Sequence, residues 1–170
     1  MLQQQHAEEL FALIERNRLY LRRWLPEWDV QKSLDECKAV IRSSLEQLAA
    51  NAGLSLGIWY GGRLAGVIGA GRIDWENRST MIGYWLGERY QGKGLMTGAC
   101  HALVGYLFSE LKLHRIEIRC ATDNPRSGGV PQRLGFSKEG VLRQSQAFDD
   151  RFLDIEVYAL LADEWPNKKT

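Results

Sequence analysis

Residues 91–94 read Gln91-Gly92-Lys93-Gly94, and they join a β-rich stretch, residues 80–86, to a long apolar one, residues 95–111. A strand that runs into a glycine turn and then opens a helix is suited to binding anions. The first backbone N–H groups of a helix have no internal partners and carry the positive end of its dipole. Glycine lets that backbone close around a charged group, and Lys93 adds a cation, so phosphate is the expected ligand. The pattern is not a P-loop, which needs G-x-x-x-x-G-K-[ST], because Lys93 precedes Gly94. A dinucleotide loop is nearer, with Gly92, Gly94 and Gly98 as G-x-G-x-x-x-G. It lacks the acidic strand-end residue about twenty positions on, since Glu110 falls at the end of a helical stretch. On local evidence the glycines could also do no more than shape a turn.

A second polar group follows, with Asn124-Pro125-Arg126-Ser127 and then Arg133-Leu134-Gly135-Phe136. Asn124 reads equally as a helix N-cap with proline at the first helical position, or as an amide for a ligand. Ser127 is a first-turn serine or a reactive hydroxyl. Asp74, Glu76 and Glu156 are candidate general bases, each also readable as a solvated or turn carboxylate. Arg16, Arg18, Arg22 and Arg23 crowd one segment, as a solvated helix face or a ligand site.

The elements that must position these residues can be read from periodicity. Leu10, Leu13, Ile14, Leu21 and Trp24 mark a helix over 7–24 that Pro26 stops. Ser33 and Glu36 form a capping box for a second helix carrying Val40, Ile41, Leu45 and Leu48, ended by Asn51-Ala52-Gly53. Strands over 54–60 and 64–73 flank Gly61-Gly62, a dipeptide able to take the positive φ of a tight hairpin. After the strand over 80–86, a helix over 95–111 is expected to bury Leu95, Ala99, Ala102, Leu103, Tyr106, Leu107 and Leu111. A strand over 114–120 and a short helix over 125–134, ended by Gly135, come next. That helix should be irregular, because Gly128, Gly129 and Pro131 all lower its propensity. A hairpin of strands over 136–144 and 151–161 closes an α-α-β-β-β-α-β-α-β-β order, read as one domain over 1–170.

Bulk properties exclude some partners. The chain has 170 residues and a formal net charge of +1, so no long-range field points to nucleic acid or membrane. Cys37, Cys100 and Cys120, like His6, His101 and His114, show no ligand spacing, so no metal is expected. The polar N-terminus lacks a signal-peptide apolar region, and a reducing cytoplasm fits best. Trp24, Trp28, Trp59, Trp75 and Trp85 could line an acceptor pocket or simply pack.

The run Ile82-Gly83-Tyr84-Trp85-Leu86-Gly87-Glu88-Arg89-Tyr90-Gln91-Gly92-Lys93-Gly94-Leu95-Met96-Thr97 resembles the GNAT superfamily of N-acetyltransferases, and in particular its RimJ/RimL branch. Gln91, Gly94 and Met96 take the places of the Q/R-x-x-G-x-G/A acetyl-CoA motif, with Met96 departing from the small residue. The stretch from Asn124 to Ser127 and Arg133-Leu134-Gly135-Phe136 resembles the family's second signature, and the likeness runs from Arg18–Pro26 to residues 154–161.

The resemblance implies an α/β GNAT fold: a mixed, mostly antiparallel sheet, splayed at the cofactor site, with helices on both faces. It implies acetyl-CoA as co-substrate, bound by Leu86, Gln91, Gly92, Lys93, Gly94, Leu95, Met96, Thr97, Asn124 and Ser127. A backbone N–H near Leu86 would meet the developing oxyanion, and Asn124 the pantetheine arm. Where many members carry a proton-donating tyrosine this chain has Pro131, which leaves Ser127 as acid or relay. Branch carboxylates are replaced by Met81 and Gln146, and Cys120 would lie near the CoA thiol. The acceptor implied is a protein N-terminus, ribosomal proteins included. A polyamine, an aminoglycoside and a non-catalytic CoA sensor are the alternatives. The family's first strand looks absent, and a homodimer could cover that sheet edge.

Overall fold

The computed structural model describes residues 1–25, 33–148 and 151–165. Its elements are α1 (Ala7–Leu21), α2 (Leu34–Ala49), β1 (Leu54–Tyr60), β2 (Arg63–Ala70), β3 (Ser79–Leu86), α3 (Leu95–Ser109), β4 (Arg115–Ala121), α4 (Pro125–Arg133), β5 (Ser137–Phe148) and β6 (Arg151–Leu161). Single 3-10 turns occupy Gln4–His6 and Glu88–Tyr90. The order is the one read from the sequence. The strands form one sheet in the order β1-β2-β3-β4-β6-β5. β3 and β4 pair in parallel, whereas β1–β2, β4–β6 and β5–β6 are antiparallel. The parallel register runs from Ser79 with Arg115 to Ile82 with Ile118, while β3 continues to Leu86 and β4 to Ala121.

The chain divides into two compact units, one of residues 1–71 and 83–96, the other of residues 72–82 and 97–170. In the first, α1 packs on α2 and β2, and α2 on β1. Leu10, Leu13, Ile14 and Leu21 recur at helical spacing and are buried, with Ile41, Ile58, Leu64 and Ile68 around them. Each such side chain contributes roughly 1.5–3 kcal/mol. The expected capping box opens α2: Ser33 N–H donates to Glu36 Oε2 (2.9 Å) and Glu36 N–H to Ser33 Oγ (3.2 Å). Gly61 and Gly62, at φ 57° and 74°, form the two-residue turn that sets Tyr60 opposite Arg63.

In the second unit β4 alternates as a half-buried strand must. Ile116, Ile118 and Cys120 are buried. Arg115, Glu117 and Arg119 instead form an ion-paired row, with Arg115 reaching Glu117 (2.8 Å) and Glu139 (2.6 Å). The hairpin of β5 and β6 adds its own cluster of Phe148, Leu153 and Ile155.

Several sequence expectations need correction. The buried residues of α3 are Met96, Cys100, Leu103, Val104, Leu107 and Phe108, while Ala102 and Tyr106 are exposed. The helix is apolar almost all round, so periodicity could not choose a face. β5 reaches Phe148 rather than stopping at Gln144, because a bulge lies between Leu142 and Gln146 and breaks the alternation. α1 ends at Leu21 and β2 at Ala70, both short of the readings of 24 and 73. The stop assigned to Pro26, and Trp28, lie outside the described residues. α4 is one unbroken helix despite Gly128, Gly129 and Pro131. Among the described residues no helix is long and apolar enough to cross a membrane.

Candidate active site

The glycine turn belongs to the first unit, where β3 delivers it. Gly66 of β2 has to be glycine, since a Cβ there would fall 2.2 Å from the Trp85 carbonyl oxygen. Past β3, Gly87 N–H donates to the Ala65 carbonyl (2.8 Å) and Glu88 N–H to Asn17 Oδ1 (2.8 Å). Asn17 is itself fixed by its Nδ2 bond to the Leu13 carbonyl (2.7 Å). Tyr90 is buried with its ring edge-on to Tyr60, centroids 6.3 Å apart. Gln91 Nε2 donates to Tyr20 Oη. One face of α1 therefore anchors the approach to the turn by side chains of Asn17 and Tyr20.

Gly92 and Gly94 have φ of 71° and 72°, the region that favours glycine, and beyond their chain neighbours no described residue places an atom within 4 Å of a Cβ built on either. The turn's outer side is thus open. α3 then begins at Leu95, and no acidic residue stands in its first turn. Leu95, Met96 and Thr97 offer the amides that lack intrahelical acceptors. Met96 is 8% exposed, so its side chain belongs to the core and its backbone is what remains for a ligand. Lys93 Nζ sits 5.9 Å from the Tyr60 ring centroid, a cation–π contact beside the turn. Backbone donors, a cation and a first helical turn without a carboxylate fit the diphosphate of a CoA molecule.

The second unit carries α4. Asn124 is its N-cap, with Oδ1 accepting from Ser127 N–H (3.2 Å) and Pro125 at the first helical position. The cap uses the amide oxygen and leaves the amide nitrogen as a donor, so the structural and ligand-binding readings are compatible. Gly135, at φ 82°, closes the helix: Phe136 N–H reaches the Pro131 carbonyl (3.0 Å) and Gly135 N–H the Gln132 carbonyl (3.2 Å), a Schellman motif. Arg133 bends back over Gly129 and donates from Nε and Nη2 to Thr97 Oγ1, both at 3.3 Å. It meets a hydroxyl rather than a carboxylate, at the third residue of α3. The sequence reading gave neither this arginine nor Asn17 a role of its own, because both act across long sequence separations.

None of the candidate bases is poised. Asp74 caps its own turn, accepting from Asn77 N–H (2.9 Å) and Nδ2 (2.7 Å), and the Asn77 side chain holds its carboxyl below the usual range. Glu156 takes Lys138 Nζ at 2.6 Å, which lowers its carboxyl likewise, and it also accepts from Tyr158 Oη (2.8 Å). Glu76 is exposed. Cys120 is buried, and burial, helped by Glu156, pushes its thiol up to about 11, so it is protonated at neutral pH and a poor nucleophile. Of the described tryptophans, Trp85 is buried, Trp75 is exposed, and Trp59 packs edge-on to His6 with centroids 5.0 Å apart. The basic segment reads as a solvated face where Arg16, Arg22 and Arg23 are exposed, and Arg18 pairs with Glu15.

Comparison with known proteins agrees with this chemistry. The family model described as "Acetyltransferase (GNAT) domain" matches residues 1–137. YdaF of Bacillus subtilis (strain 168), provisionally named a ribosomal N-acetyltransferase, is 36% identical over 170 residues, covering 99% of this chain and 93% of its own. The ribosomal-protein-serine acetyltransferase of Escherichia coli (strain K12) is 34% identical over 160 residues, covering 93% and 88%. Among solved structures, RimL, a ribosomal L7/L12 α-N-protein acetyltransferase in complex with coenzyme A, superposes with a TM-score of 0.92 at 26% identity, covering 96% and 92%. In that complex CoA is held in a disulfide to one of RimL's cysteines. With a glycine turn at the head of α3, a capped α4 and these relatives along nearly its whole length, the chain belongs to the GNAT family and is an acetyl-CoA-dependent N-acetyltransferase.

Proposed function

We propose that the acceptor is the N-terminal α-amine of a protein, with ribosomal proteins the first class to test. The observation that carries this is the state of the carboxyls. Among the described residues, the carboxyls whose pKa is displaced, Asp74, Glu117, Glu139 and Glu156, all have it lowered, toward permanent ionisation. A base able to strip a lysine ammonium would need the opposite displacement. An α-amine has a pKa of ~8, against ~10.4 for lysine, and is already about a tenth neutral at pH 7. It can lose its proton to water. The naming of the E. coli relative as a ribosomal-protein-serine acetyltransferase supports the same reading.

In this reading the backbone N–H groups of Gly92, Gly94, Leu95, Met96 and Thr97, with Lys93, hold the cofactor's phosphates. Gln91 sets the turn through Tyr20, and the Asn124 amide nitrogen donates to the pantetheine arm. Acetyl-CoA supplies an activated acyl group on a good leaving thiol. The amine nitrogen bonds to the acyl carbon as the carbon–sulfur bond breaks, and a backbone N–H near Leu86 stabilises charge on the acyl oxygen. Ser127 gives or relays a proton to the departing sulfur, the role open to it because Pro131 has no hydroxyl. Holding both reactants supplies much of the rate. The sheet ends at β1 and β5, whose edges a second copy could pair, and a cytoplasmic homodimer completes the reading.

The test is thiol release from acetyl-CoA with Ser- and Ala-initiated peptides, polyamines and aminoglycosides as acceptors. Turnover confined to peptides with a free N-terminus is expected. Turnover on polyamines or aminoglycosides alone, or tight CoA binding with no turnover, overturns it.

A further inference from the structure

α4 is a helix that its own sequence disfavours. Two glycines cost about 1 kcal/mol each and an interior proline about 3 kcal/mol relative to alanine. Pro131 also has no N–H to give the Ser127 carbonyl one turn back. Nine residues are too few for a helix to stand by propensity, so tertiary contacts must hold it. Apart from the two caps, its buried members are Gly128, Val130 and Pro131.

The remaining hold is polar. Gln132 Nε2 donates to Tyr158 Oη (2.7 Å), Tyr158 Oη donates to Glu156 Oε2 (2.8 Å), and Lys138 Nζ donates to Glu156 Oε1 (2.6 Å). This chain ties α4 to β6 and β5. Tyr158 is 1% exposed, on a face of β6 where an apolar residue would avoid the desolvation of a buried polar group. Gly128 lies against the same groups: a Cβ there would stand 3.3 Å from Glu156 Oε2, 3.5 Å from Cys120 Sγ and 3.6 Å from Tyr158 Oη. The atoms nearest a Cβ on its neighbour Gly129 belong to the far end of the Arg133 side chain, which can move aside.

We infer that Tyr158 and Glu156, with Gly128 as the gap that admits them, are positioning residues that hold α4, and through it Asn124 and Ser127, in the geometry the acetyl transfer needs. The inference rests on the function proposed above for Asn124 and Ser127. It differs from a general packing role because it predicts an effect local to α4 and to the cofactor.

The experiment compares Tyr158→Phe, Gly128→Ala and Gly129→Ala in the full chain. Amide hydrogen exchange is measured across residues 122–136, together with kcat and KM for acetyl-CoA and for a peptide acceptor. Losing one hydrogen bond and leaving its partner unsatisfied should speed exchange in α4 by about tenfold in Tyr158→Phe. KM for acetyl-CoA should rise by about as much, with KM for the peptide unchanged. Gly128→Ala should follow Tyr158→Phe, although alanine favours a helix. Gly129→Ala, with the same gain in propensity, should stay within about twofold of the parent or protect α4 further. Unchanged α4 exchange in Tyr158→Phe, or parallel behaviour of the two alanine variants, overturns the inference. Exchange that rises equally throughout the molecule does so too. The exchange readout needs no ligand, so it stands apart from the assay of function, whose failure would show as a parent protein that does not bind CoA.

Discussion

The glycine turn and α4 are proposed to serve the same cofactor but are held in opposite ways. The turn owes its shape to local backbone: Gly92 and Gly94 sit at positive φ, and the approach is pinned by main-chain bonds from Gly87 to Ala65 and from Glu88 to Asn17. Helix α4 has a backbone that resists its own conformation and is kept in it by caps and by a chain of side chains from Gln132 to Lys138. A site built on backbone geometry tolerates changes around it and fails when a glycine is replaced. A site built on a side-chain network should fail by degrees as its members are removed.

The largest effect should come from the turn. Gly94→Glu puts a side chain at φ 72°, at about 1–2 kcal/mol, and sets a carboxylate where phosphate is to bind. CoA affinity should fall by roughly a thousandfold, as read by titration calorimetry. Gly94→Ala separates the two causes. Beyond its chain neighbours no described residue comes within 4 Å of a Cβ there, so backbone strain is the cause left and the loss should be about tenfold. Equal losses in the two variants would mean that conformation, not charge, is what the turn contributes. Full affinity in Gly94→Glu would remove the phosphate from this turn.

On the α4 side, Ser127→Ala should lower kcat on the order of a hundredfold, the lower end for a lost proton donor, with KM for acetyl-CoA little changed. A normal kcat would pass the proton to water. Asn124→Asp comes next in size. Aspartate can keep the cap on Ser127 N–H while losing the amide nitrogen, so CoA affinity should drop about tenfold with the melting temperature unchanged. Asn124→Ala should lose both, the cap being worth ~1 kcal/mol. If aspartate melts as alanine does, the residue's work is structural and the two regions are less alike in function than the resemblance implies.

The same contrast explains what the sequence disclosed. The turn was legible because glycines at fixed offsets between a strand and a helix carry their meaning locally, and so do the Ser33 and Glu36 box and the Gly61-Gly62 hairpin. Asn124, Pro125 and Gly135 were legible for the same reason, as helix punctuation. The buried face of α3 was not, because an apolar helix has no polar side to mark the outside. The integrity of α4 was misread because Gly128, Gly129 and Pro131 argue against it locally. What overrules them, Tyr158, lies 26 positions from Gln132. Asn17 and Tyr20 were invisible as anchors of the turn, since each lies 71 positions from its partner.

The smallest predicted effect concerns pH and tests whether the two regions differ in kind. Lys138 lowers the pKa of Glu156, and Glu156 raises that of Lys138. A carboxyl depressed in the folded state adds stability that is fully present above its unfolded value, ~4.3, and is lost as pH falls through the folded value. A raised ammonium adds stability that is fully present below ~10.4 and is lost as pH rises through its folded value. The tie on α4 should therefore be flat from about pH 5 to pH 10 and weaken below about pH 4. Exchange protection over residues 122–136, corrected for intrinsic rates, should show that acid limb, and Glu156→Gln should flatten it. The turn is anchored by Ala65, Asn17 and Tyr20 and should show no matching limb over residues 87–94. An acid limb of the same size in both regions, or one that survives in Glu156→Gln, would show that α4 loosens with the molecule as a whole and not through its side-chain network.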